Sequence, residues 1–166
     1  MEVYRAKYVI ELIHEAFGDL KYPGTGCIKA KYADESEIDE FYYRNKVWQK
    51  ITINDINNRY FELPFLAPGG LRFFLPAFIV NGINYTYDVP LFCLLSRLTA
   101  PRNSESKEYV EFQNYFRGYD VQQMNAIRYF LNYILLVFGE YRKETQEALD
   151  SYWDEAVIRH WKNLFL

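Results

Sequence analysis

Apolar residues recur every third or fourth position along most of the chain, a spacing that predicts amphipathic helices. Val3, Ala6, Ile10, Ile13 and Phe17 form one stripe, with Glu2, Lys7, Glu11 and Glu15 largely opposite. Gly18 stands where that helix should end, and Tyr22-Pro23-Gly24-Thr25-Gly26 carries turn chemistry. Asp34 suits the N-cap of a short helix reaching about Tyr43, with Ile38, Phe41 and Tyr42 inward. Thr52 followed by Asp55 resembles a capping box, and Ile51 with Ile56 could staple it. Pro64 is expected to stop that third helix, and Pro68 to open another through Leu71, Phe74, Leu75, Phe78 and Ile79 to Asn81-Gly82.

Pro76 falls inside that pattern. Its nitrogen cannot bond the Arg72 carbonyl, so a bend or restart is expected between Phe73 and Pro76, with Phe74, Leu75 and Phe78 still facing the core. Asp88 caps a further short helix, with Pro90 early in it and Leu91, Leu94, Leu95 and Leu98 inward. Thr99 to Ser106 is polar and loop-like, and Tyr109 to Tyr119 fits helix or strand equally. Asp120, with Gln123 three residues on, starts a helix through Ala126, Ile127, Phe130, Leu131, Ile134, Leu135 and Phe138, closed by Gly139. From about Lys143 a last helix carries Leu149, Tyr152, Trp153, Ala156, Val157, His160, Trp161 and Leu164. The short joint makes these two an αα-hairpin, expected to be the hub of the core. The whole reads as one all-α domain over residues 1–166, an irregular bundle of about six to seven helices.

Composition narrows the function more by exclusion than by assignment. At 166 residues and half apolar, the chain can bury a core without metals or disulfides. Aromatic residues make up 19%, well placed to build that core or an interface. The net charge of -3 offers no basic excess to neutralise phosphates, so nucleic acid is not expected as a partner. The longest apolar stretches are interrupted by Arg72 and Pro76, or by Arg128 and Asn132, too short for a bilayer span. Met1 to Lys7 lacks the pattern of a secretory signal, and two cysteines, Cys27 and Cys93, make no disulfide framework. A cytoplasmic location without membrane partners is the expectation.

Few motifs carry chemistry. Glu11-Leu12-Ile13-His14 has the spacing of a metal-ligand pair on a helix, but di-iron bundles need it twice, and the only other histidine is His160. Gly24-Thr25-Gly26 beside Lys29 lacks the spacing of a phosphate loop. Cys27 would need a neighbouring base to act as a nucleophile. No metal site and no cofactor are therefore expected. The run Asp34-Glu35-Ser36-Glu37-Ile38-Asp39-Glu40 holds five carboxylates and no cation. It reads as helix-start electrostatics, or as a docking patch for a basic protein together with Tyr42 and Tyr43.

Several landmarks recur together: Ala16-Phe17, then Tyr22-Pro23-Gly24 and Ile28; Trp48; Leu75-Pro76-Ala77-Phe78; Gln123 with Ala126-Ile127 and Phe130-Leu131; and Tyr152-Trp153. The set resembles a family of small bacterial domains of unknown function. The resemblance implies a compact bacterial domain and brings no catalytic residues; it departs after Pro23-Gly24, where Thr25-Gly26 replace the acids expected there. In character the chain is also similar to immunity proteins. The leading expectation is a non-enzymatic protein-binding domain of the immunity or antitoxin kind that occludes a basic partner. The alternative is a small-ligand-binding protein or hydrolase with a pocket between helices, drawing on Glu11, His14, Cys27 and His160.

Overall fold

The computed structural model describes residues 6–84 and 88–156. Val3, Val157, His160, Trp161 and Leu164 lie outside the described residues, as do the side chains of Glu35 and Asp88. The architecture is all-α. Among the described residues eight α-helices follow in order: α1 Ala6–Phe17, α2 Phe41–Arg44, α3 Ile53–Ile56, α4 Pro68–Asn84, α5 Asp88–Leu98, α6 Lys107–Phe116, α7 Val121–Val137 and α8 Arg142–Ala148. Short 3-10 turns link several of them, and the only β pairing among the described residues is one isolated bridge, Lys29 to Leu66.

The core centres on α4. Phe73, Phe74, Leu75, Ala77, Phe78 and Ile79 are all buried on it, so this helix is apolar on every side. Such a pattern belongs to a helix enclosed by others rather than lying on a surface. α1 and α6 pack against it, α1 also meets α7, and α7 lies beside α8. The expected hub, the C-terminal hairpin, is well buried, with α7 against α1 and α8 against α5, but α4 carries more of the buried side chains than either hairpin helix. At Pro76 the helix continues without a restart from Pro68 to Asn84, and Phe74, Leu75 and Phe78 are fully buried as expected. Packing around the whole helix keeps it continuous although one backbone bond is missing.

Polar atoms fasten the surrounding segments to this centre. The Trp48 indole donates to the Phe17 carbonyl at 3.0 Å, and the Tyr60 hydroxyl to the Phe78 carbonyl at 3.1 Å. Gln123 accepts from the Arg72 guanidinium at 2.9 Å and donates to the Ala16 carbonyl at 3.2 Å, joining α4, α1 and α7 through one amide. Gly70 lets the Ile28 backbone lie directly on α4, since a Cβ there would stand 2.6 Å from the Ile28 oxygen. Ala67 N–H then donates to Ile28 at 2.7 Å, and Ala30 N–H to Phe65 at 2.8 Å. These bonds carry residues 28–33 across the 3-10 turn Tyr60–Phe65.

Two other expectations change. The helix placed over Asp34 to Tyr43 divides into a 3-10 turn, Glu35–Glu37, and α2. Asp39 separates them by accepting the Phe41 N–H at 2.9 Å, a local bond that competes with continuous helix. Pro64 does not stop α3, which has already ended at Ile56; it sits inside the following 3-10 turn. The ambiguous stretch from Tyr109 is helical, in α6, capped by the Ser106 hydroxyl accepting from Tyr109 N–H at 3.1 Å.

Candidate functional site

The acidic segment proves to be engaged largely in local structure. Asp34 N–H donates to the Glu37 carboxylate, as in a capping box. Asp39 pairs with Arg59 at 2.6 Å, and Glu40 with Arg44 one turn on. The Phe41 N–H first, with help from the Arg59 guanidinium, holds the Asp39 carboxyl below the usual carboxylate range, against an opposing effect of burial. Tyr42, expected at the docking face, is fully buried against Phe74, with ring centroids 5.0 Å apart. Burial pushes its phenol far above the ordinary value, and it belongs to the core, not to a surface. Tyr43 is half-buried; Asp34, Asp39 and Glu40 stay exposed and Glu37 is half-exposed.

Of the residues of the alternative reading, His160 lies outside the described residues, and Glu11, His14 and Cys27 are engaged separately. His14 stacks on Trp48 with centroids 4.9 Å apart, and Glu11 pairs with Lys7 at 3.8 Å. Cys27 is exposed in the 3-10 turn Thr25–Cys27. Among the described residues no group of three or more His, Cys, Asp or Glu side chains is placed to hold a metal ion.

A different place gathers chemistry: a cleft of about 640 Å³ between α5 and α6, closed at one end by Tyr32 and the 60–65 turn. Ligand sites commonly have this size and this mix of apolar wall and few polar groups. Leu91, Leu94, Leu95 and Leu98 turn α5 inward, and this leaves Phe92, Ser96 and Arg97 on the cleft side. On α6, Glu108, Glu111, Phe112 and Tyr115 repeat at helical spacing along the facing wall. Three aromatics at the rim are strongly exposed: Tyr32 at 68%, Phe61 at 63% and Phe92 at 51%. They come from three separate segments.

Arg97 is the unusual group. Its guanidinium lies over the Tyr115 ring, 4.0 Å from the centroid. Its Nε and Nη2 are buried and find no hydrogen-bond partner among the protein groups. No carboxylate pairs with it among the described residues; its electrostatic neighbours are Tyr115, Tyr32 and Tyr119. Burial therefore pulls its pKa below the ordinary arginine value, partly opposed by those tyrosines, although a guanidinium stays charged in a protein. The Tyr32 hydroxyl donates to the Pro64 carbonyl and lies 3.3 Å from the Tyr115 hydroxyl. The Tyr115 phenol is pushed up to about 12, chiefly by burial and then by its contact with Tyr32. Cys93, on the same wall, has its thiol pushed up by burial, which works against a reactive thiolate.

Sequence reasoning missed this cleft. One signal was available: the leucine stripe of α5 forces Phe92 to the opposite side, where a large aromatic is out of place. Tyr32 and Phe61 stand in segments without periodicity, and the bridge between Lys29 and Leu66, with the Tyr32 hydroxyl bond to Pro64, brings them near one another.

No curated protein and no solved structure matches the chain. A family model described as a family of unknown function, DUF6714, matches residues 5–159, nearly the whole length. Landmarks noted in the sequence fall on fastening points of this fold: Phe17 with Trp48, Gln123 with Ala16, and Trp153, whose indole donates to the Leu98 carbonyl at 2.7 Å. A match of that extent decides the matter: the chain belongs to the DUF6714 family of unknown function.

Proposed function

We propose that the chain is a non-catalytic protein-binding domain of the bacterial cytoplasm, of the immunity or antitoxin kind, which engages its partner through the aromatic rim of the α5–α6 cleft. One observation carries this reading: Tyr32, Phe61 and Phe92, three of the most exposed large apolar side chains, surround a single cavity. Exposed apolar residues scattered singly are ordinary, whereas a convergent group beside a concavity marks an interaction surface. Large aromatics in such a place supply most of the energy at the centre of protein interfaces. Glu108 and Glu111 flank the cleft, and with the net charge of -3 they would steer a basic partner toward it.

A second reading keeps the docking face on the acidic segment, supported by the exposure of Asp34, Asp39 and Glu40. Affinity capture from the native host separates the two. Wild-type chain and a Glu37→Ala, Glu40→Lys variant are expected to retain the same partner, and a Phe61→Ser, Phe92→Ser variant to lose it. Retention by the rim variant with loss by the acidic one would move the interface to Asp34–Glu40.

A further inference from the structure

Arg97 makes the cleft more than an apolar groove. A buried guanidinium is normally paired, because an uncompensated charge away from water costs more than most single interactions return. Here stacking on Tyr115 offsets part of that cost, yet Nε and Nη2, the edge that forms a two-point fork with a carboxylate, have no partner among the protein groups. Resting on the reading of the cleft as the partner-binding face, we propose that Arg97 receives the C-terminal carboxylate of the partner, whose apolar last side chain fills the cleft against Phe92 and Phe112.

A chain end is favoured over an internal segment on chemical grounds. It brings an anion and an apolar side chain on the same residue, so a site with one cation among aromatic walls is complementary to it. It is also present on a partner of any net charge, which reconciles an anionic anchor with a basic partner. Both nitrogens are sealed from water, so part of the wall must move to admit the carboxylate. Tyr32, 68% exposed and tied through its hydroxyl to Pro64 and Tyr115, is the wall group placed to turn aside. Glu108 and Glu111 oppose an anion, but both are exposed, where water and salt screen them, and Glu111 is paired with Lys107 at 3.6 Å.

The test uses the isotope-labelled full chain and three probes: acetyl-Ala-Ala-Phe with a free carboxylate, its C-terminal amide, and benzoate. The free acid is expected to bind about tenfold or more tightly than the amide, the scale of one charge-assisted pair, and to shift the Arg97 Nε–H resonance. Arg97→Gln should abolish the acid's advantage, and Arg97→Lys should restore part of it. Equal binding of acid and amide by the wild-type chain would overturn the inference, whether or not the variants fold. Benzoate binding as tightly as the peptide acid would overturn it too, by making a free small acid the occupant. If acid and amide bind equally while the rim variant still releases the partner, the carboxylate falls and the cleft reading stands. Acid preference combined with a partner retained by the rim variant removes the cleft reading instead.

Discussion

Trp153 shows how one side chain can join packing to polar satisfaction. It has no exposed surface, its ring meets Phe116 edge to face at 4.9 Å, and its indole donates to the Leu98 carbonyl. Replacement by alanine should cost about 3–5 kcal/mol, because the surroundings relax only partly into the space left. Replacement by phenylalanine keeps most of the buried surface and strands the Leu98 carbonyl, for a loss of about 1–3 kcal/mol. Urea melts of both variants check the order; near-wild-type stability of Trp153→Ala would place the side chain outside the core. Trp153 reads as core from the helical stripe alone, whereas the importance of Arg97 does not, since an arginine on the polar side of a helix is normally solvated. Its burial comes from Tyr115 and Tyr32, which are 18 and 65 positions away in the chain.

Local capping is where element boundaries were most legible, and where they can be tested through pH. The Asp55 carboxylate accepts from the Thr52 hydroxyl and from its N–H, both at 2.7 Å. Those bonds, the hydroxyl first, hold its carboxyl below the ordinary range, against a smaller effect of burial. A folded-state pKa depressed in this way contributes stability above the unfolded value, lost as pH falls through the folded one. Asp55→Asn should therefore lower stability by about 1 kcal/mol at pH 7, with the gap to wild type closing below about pH 4. Thermal melts at the two pH values check it, and a gap that persisted or grew in acid would contradict the capping role. The α7 start was equally legible: Asp120 Oδ1 accepts from Gln123 N–H at 2.8 Å. Asp34 to Glu40 was not. Five carboxylates within seven residues favour a helix N-terminus by charge, but the bond from Phe41 N–H to Asp39 ends the first turn. A further break from regular helix, the π-helical turn Leu149–Trp153 after α8, lets the Ser151 hydroxyl accept from Ala100 N–H at 3.0 Å. Nothing in the spacing of apolar residues announces such a turn.

At the scale of the whole molecule, the position of α4 sets the order of local stability. Amides along Phe73–Val80 should exchange with solvent most slowly, since opening them exposes the most apolar surface, and those of α8 should exchange earlier. Hydrogen exchange under native conditions reads this order, and slowest exchange in α7 and α8 would return the hub to the hairpin. Helical class, most helix starts and the inward faces of α5 and α7 were determined by the sequence itself. They rest on periodicity and capping, which act between residues a few positions apart. The enclosure of α4, the burial of Tyr42 and the meeting of Tyr32, Phe61, Phe92 and Arg97 were decided only by the tertiary structure. Those depend on which helices become neighbours, and that is settled by the packing of surfaces from distant parts of the chain, which no local pattern encodes.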